Sequence, residues 1–127
     1  MLAPRYDGPT ILTVDGSPSD QLAPLTRQRR RMQAMLAELT DREWVSQSRC
    51  EEWTVREVVA HVAGVNSFWH MSIVAGLAGK PTRVLPGFDP ATTPSLMVDQ
   101  TSSRTHREVL DEFIDFPMAF HDTYPRC

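Results

Sequence analysis

Cysteine is scarce in this chain of 127 residues, which holds only Cys50 and Cys127. Two cysteines do not make a disulfide framework of the secreted type. Net charge is equally slight: a formal value of -3 creates no field that would make nucleic acid or an anionic membrane the default partner. No apolar run reaches the roughly 20 residues that span a bilayer; the longest, around Val58 to Val65, is interrupted by His61. The opening MLAPRYDGPT lacks both a basic n-region and an apolar h-region, so no secretory signal is visible and a cytoplasmic location is expected. Internal repeats and low-complexity tracts are missing too. What is present is the make-up of an ordinary globular protein, 41% hydrophobic and 23% charged, long enough for one domain with a core of its own.

Residues 1–20 carry Pro4, Gly8, Pro9 and Gly16 around a short TILTV run, and predict an extended or mobile N-terminal arm ahead of a domain over 21–127. Helical spacing begins near Leu22, where Leu25, Met32, Met35, Leu36 and Leu39 recur at three- and four-residue intervals up to Thr40. The basic run Arg27, Arg29, Arg30 and Arg31 within it resembles a phosphate-binding patch. Without interleaved aromatics it reads better as a solvated helix face, and no nucleic-acid partner is expected. Thr40 with Glu43 forms a small capping box opening one turn that carries Trp44.

The clearest start signal is Thr54 with Glu57, a T-x-x-E box, and Trp53 stands where it can pack on Val58 as a hydrophobic staple. Val55, Val58, Val59, Val62, Val65, Trp69 and Ile73 then keep helical spacing, and Gly79-Lys80-Pro81 ends the run. Valines are poor helix formers, so this helix depends on tertiary packing. A proline-rich connection follows, containing Asp89 as an isolated carboxylate. The last periodic stretch has Val109, Leu110, Phe113 and Ile114 as its apolar stripe, with Pro117 set to bend or end it. The expectation is an all-α domain with helices near 22–40, 54–79 and 97–120. Trp44, Trp53 and Trp69 read as core and cap anchors. Cys50 reads as a small residue packing under Trp53, with a reactive thiol near a helix N-terminus as the alternative.

His61 sits oddly in the apolar helix. At 100° per residue it falls about 90° from the centre of the valine stripe, at the edge of the expected buried face, and His70 lies at the opposite edge. His61 and His70 are nine residues apart, His106 and His121 fifteen, and neither pair has the i, i+4 spacing of a local metal site. Spacing alone leaves a surface residue, a hydrogen-bonded core residue and a metal ligand all open.

The string LTDREWVSQSRCEEWTVREVVAHVAGVNSFW, over residues 39–69, resembles the N-terminal signature of mycothiol-dependent maleylpyruvate isomerase-like proteins, in the DinB-like metalloenzyme superfamily. Leu39, Thr40, Trp44, Cys50, Trp53, Thr54, Val55, Val58, Ala60 and His61 carry the likeness, which extends over about residues 25 to 80. Glu52 stands where glycine is usual, and Val62 where leucine is usual. The resemblance implies a DinB-like four-helix bundle with a divalent metal, zinc by preference, for which His61 is the first ligand. It implies two further ligands from a later helix at four-residue spacing, and a low-molecular-weight thiol such as mycothiol held as thiolate for isomerisation or transfer chemistry. No catalytic residue can be assigned.

The chain departs from that pattern after the third helix. No ligand pair is apparent: position 117, four residues before His121, is Pro117. An incomplete bundle is therefore expected, three of four long helices, through truncation, a frameshift or divergence of a partial copy. Two functions follow: a thiol-dependent, metal-binding isomerase or transferase with small-molecule partners, or a non-catalytic family member acting as an interaction or dimerisation module. An uncovered groove in such a bundle predicts a homodimer or poor solubility.

Overall fold

Three T-x-x-E boxes, each within one turn, set where helices begin. In the computed structural model, which describes the backbone of residues 18–80 and 87–123 and the side chains of 23–80 and 87–115, five helices follow in order: α1 (Pro18–Ala37), α2 (Asp41–Trp44), α3 (Val55–Leu77), α4 (Thr93–Asp99) and α5 (His106–Thr123). The all-α expectation holds, with three long helices and two short ones. Among the described residues the sole β-type pairing is an isolated bridge between Gln47 and Thr54. TILTV, residues 81–86 and the terminal YPRC lie outside the described residues.

The chain divides into two units, residues 1–32 and 33–127. In the first, α1 begins at Pro18, inside the segment expected to be an extended arm, and carries Pro24 in its interior. Arg27, Arg30 and Arg31 are exposed, while half-buried Arg29 has its pKa lowered by desolvation.

In the second unit, α3 packs chiefly on α5, then on α4 and α2. Its N-terminus has full reciprocal capping: the Thr54 side chain accepts from the Glu57 amide, and the Glu57 carboxylate accepts from the Thr54 amide at 2.7 Å. Thr40 and Glu43 do the same for α2, as expected. A third box, Thr105 with Glu108, opens α5, where Glu108 accepts from the Thr105 amide at 2.7 Å and its hydroxyl at 2.8 Å. This box divides the helix expected over 97–120 into α4 and α5. Pro117 does not end α5, which continues to Thr123.

The buried residues are Leu36, Trp44, Val59, Ala60, Ala63, Val98, Val109 and Phe113. Val109 and Phe113 belong to the stripe expected on α5. On α3 the buried face differs from the expected one. Val59, Ala60 and Ala63 centre about 115° around the helix from the predicted valine stripe, while Val65 and Trp69 on that stripe are 38% and 55% exposed. Small side chains let a neighbouring helix approach closely, and that advantage outweighs the larger apolar area of the valine side.

Two tethers hold the second unit's loops. The Arg56 guanidinium, in the first turn of α3, donates to the carbonyls of Thr101 and Arg104 in the α4–α5 connection. Asp89, expected to be isolated, instead organises the approach to α4: its carboxylate accepts from the Ala91 amide at 2.9 Å and the Thr92 hydroxyl at 3.2 Å.

Among the described residues α3 alone is long and apolar enough to cross a membrane, with 23 residues and a mean hydropathy of 1.3. This corrects the expectation that no apolar segment has that length. His61 interrupts the sequence run but not the helix, and a core helix passes the same test.

Candidate functional site

His61 lies at 100° per residue roughly opposite the Val59–Ala60–Ala63 face of α3, not at the edge of the buried stripe. It is half-buried. Its neighbour is Trp53, whose ring centroid is 4.9 Å from that of His61 at an interplanar angle of 40°. Trp53 was expected as a staple on Val58; its defined ring contact is the histidine two turns along.

The loop before α3 fixes Trp53. Its carbonyl accepts from the Ser48 hydroxyl at 2.6 Å, the Ser48 amide at 3.1 Å and Gln47 Nε2 at 3.1 Å. Its own amide donates to the Cys50 carbonyl at 2.9 Å. Gln47 Nε2 also donates to the Cys50 carbonyl at 2.8 Å and that of Glu51 at 3.2 Å. Cys50, expected beneath Trp53, is exposed with a free thiol. Its backbone is absorbed into this loop, and its side chain is left outside it. Trp69, expected as an anchor, is largely exposed and packs edge-on against Phe68 at 5.3 Å.

A divalent-metal site requires about three converging protein donors. Among the described residues no group of three His, Cys, Asp or Glu side chains stands close enough to hold an ion, so the donor set around His61 does not fit a closed site. The side chain of His121 lies outside the described residues.

A second constellation, which the sequence did not single out, gathers on α2 and α5. Trp44 is buried, 1% exposed, and the ring of His106 stacks on it with centroids 5.6 Å apart and planes 24° from parallel. His106 Nε2 stands 3.4 Å from Asp41 Oδ1. These residues border an open cleft of about 350 Å³, completed by Leu36, Ala37, Leu39, Arg107, Leu110 and Asp111. Its floor is apolar and its rim carries charge of both signs. Sequence reasoning missed it because its parts lie some sixty residues apart and share no periodicity; the one local signal was the third capping box, which fixes the first turn of α5 and with it His106.

Glu43, Glu57 and Glu108 all have lowered pKa values because their carboxylates accept hydrogen bonds from Thr40, Thr54 and Thr105. These carboxylates are committed to caps and are poor candidates for proton transfer.

The family model described as the mycothiol maleylpyruvate isomerase N-terminal domain matches residues 25–123. No curated protein and no solved structure matches the chain.

Proposed function

The chain belongs to the mycothiol maleylpyruvate isomerase N-terminal domain family, and we propose from that premise that it takes part in thiol-dependent isomerisation or group transfer, with a low-molecular-weight thiol of the mycothiol type as its co-reactant. The observation that carries this reading is the extent of the match, which takes in four of the five helices and reaches to the end of α5. His61 is the residue we assign to the family's first metal-ligand position. The described residues supply no companion donors for it, so no step of the reaction is assigned to a metal here. What this chain's own residues do is more limited: the Gln47–Ser48 hydrogen bonds hold Trp53, and Trp53 holds the His61 ring and limits its access to water.

Calorimetric titration of mycothiol, and separately of zinc, into untagged protein and into a His61→Ala variant tests the reading. Mycothiol is expected to bind, and zinc to bind weakly and be lost on desalting, because one protein ligand does not hold zinc tightly. Failure of mycothiol to bind, with or without zinc, would remove the thiol-dependent reading. One tightly held zinc per chain, lost in the variant, would show that further donors reach His61.

A second reading, a non-catalytic interaction or homodimerisation module, is favoured by one observation. No described residue of α3 beyond Ala63 is buried, and Trp69, Met71 and Leu77 are each more than half exposed, at 55%, 53% and 62%.

A further inference from the structure

We propose that the cleft between α2 and the first turns of α5 is a binding site for a small zwitterion of the α-amino acid class, with its side chain directed onto Leu39 and Leu110. The size comes first: about 350 Å³ lies at the lower end of the roughly 300–1,000 Å³ typical of small-molecule sites. Leu36 and Trp44 lie beneath the cleft, 2% and 1% exposed, and the apolar surface open to a ligand is that of half-buried Leu39 and Leu110. That surface suits a branched aliphatic group.

The rim decides the ligand's charge. Many charged side chains nearby are already engaged: Glu43 and Glu108 cap helices, and Arg104 pairs with Glu112. Arg107 and Asp111 are not. They stand four residues apart on α5, a spacing at which opposite charges can pair, yet among the described residues neither has an ion-pair or hydrogen-bond partner. Both line the cleft. Among the described residues Asp41, on the rim, meets only His106, at 3.4 Å, and its side chain is 94% exposed. The cleft thus offers the Arg107 guanidinium for a carboxylate, with the carboxylates of Asp111 and of exposed Asp41 for an ammonium group. Arg107 also lies in the first turn of the 18-residue α5, where the helix dipole favours an anion. Among the described residues Asp41, His106 and Asp111 do not form a group that could hold a metal ion, and their carboxylates suit an ammonium group.

This site is separate from the thiol reading, and its test does not depend on catalysis. L-leucine is titrated into the full chain, with isoamylamine and 4-methylpentanoate as analogues lacking the carboxylate and the ammonium group, and the His106 ring and Trp44 indole signals are followed by NMR. Leucine is expected to shift both signals saturably, with a dissociation constant on the order of a millimolar. Each analogue is expected to bind about five-fold more weakly, the scale of a solvent-exposed ion pair. R107Q is expected to abolish the preference for leucine over isoamylamine, and D111N that over 4-methylpentanoate. Both residues are exposed and unpaired, so the variants retain the fold, which a thermal melt verifies. The proposal is overturned if leucine gives no saturable shift, if either analogue binds as well as leucine, or if both variants keep both preferences.

Discussion

Arg56 illustrates how much one side chain can organise here. Its Nε donates to the Arg104 carbonyl at 3.0 Å, and its Nη2 to the carbonyls of Arg104 and Thr101. A planar fork reaches two acceptors at once, which an ammonium group cannot reproduce. Hydrogen bonds made by a charged donor contribute roughly 1.5–3 kcal/mol, with solvent access at Arg104 favouring the lower end. Arg56→Ala is therefore expected to lower the urea-unfolding free energy by about 1.5–2 kcal/mol. Arg56→Lys should recover less than half of that loss. A loss below about 0.5 kcal/mol, the level of a neutral surface change, would show that the α4–α5 connection holds its shape without this tether.

At the scale of the element, the capping boxes govern both stability and its response to pH. The Glu57 pKa is lowered below its ordinary value of 4.5 by hydrogen bonds from the Thr54 amide and hydroxyl. A carboxylate whose pKa is depressed in the folded state adds stability that is fully present above its unfolded pKa. That stability is lost as pH falls through the folded value. Acid unfolding of the native chain should accordingly steepen below about pH 4.5, and Glu57→Gln should flatten the profile in that window while costing stability at neutral pH. Thr54→Ala, which removes the other half of the box, is expected to cost about 1 kcal/mol, and Thr54→Ser much less. Chemical denaturation across the acid range measures both effects; an unchanged acid slope in Glu57→Gln would mean the cap is not the titrating element.

The same boxes mark how far the sequence could be read. Thr40–Glu43 and Thr54–Glu57 were legible because capping is local chemistry, complete within four residues. Thr105–Glu108 carries the same signal and places the break between α4 and α5, but the apolar periodicity on either side obscures it. The buried face of α3 was not legible from hydrophobicity, since Val58, Val62, Val65 and Trp69 outweigh Ala60 and Ala63 in apolar area. Which face of α3 is covered depends on the helices packed against it, chiefly α5, and hydrophobicity along one helix does not specify them. His61 was singled out from its place in a helix and a family-like motif, and its contact with Trp53 joins residues that helical spacing alone does not connect. The Trp44–His106–Asp41 cleft depends wholly on long-range packing, which a periodicity argument does not reach.

For the molecule as a whole, the uneven burial of α3 has the largest consequence. The buried residues of that helix are Val59, Ala60 and Ala63, all in its first half. Its second half presents Trp69, Met71, Val74 and Leu77 with 39–62% exposure, in directions that run around the helix. A helix that is apolar on most sides is usually covered, and exposed apolar surface of this extent promotes association. The native chain is therefore expected to form a homodimer or to lose solubility as its concentration rises. Replacing Met71 and Leu77 together by glutamate places two charges on this surface and leaves the Trp69–Phe68 ring contact in place. Sedimentation equilibrium should then show a monomer at concentrations where the native chain associates. Unfolding free energy extrapolated to the monomer should stay within about 0.5 kcal/mol per substitution, as for exposed positions generally. A native chain that stays monomeric and soluble at high concentration would instead mean that the second half of α3 is tolerated bare, and the interaction-module reading would lose the observation on which it rests.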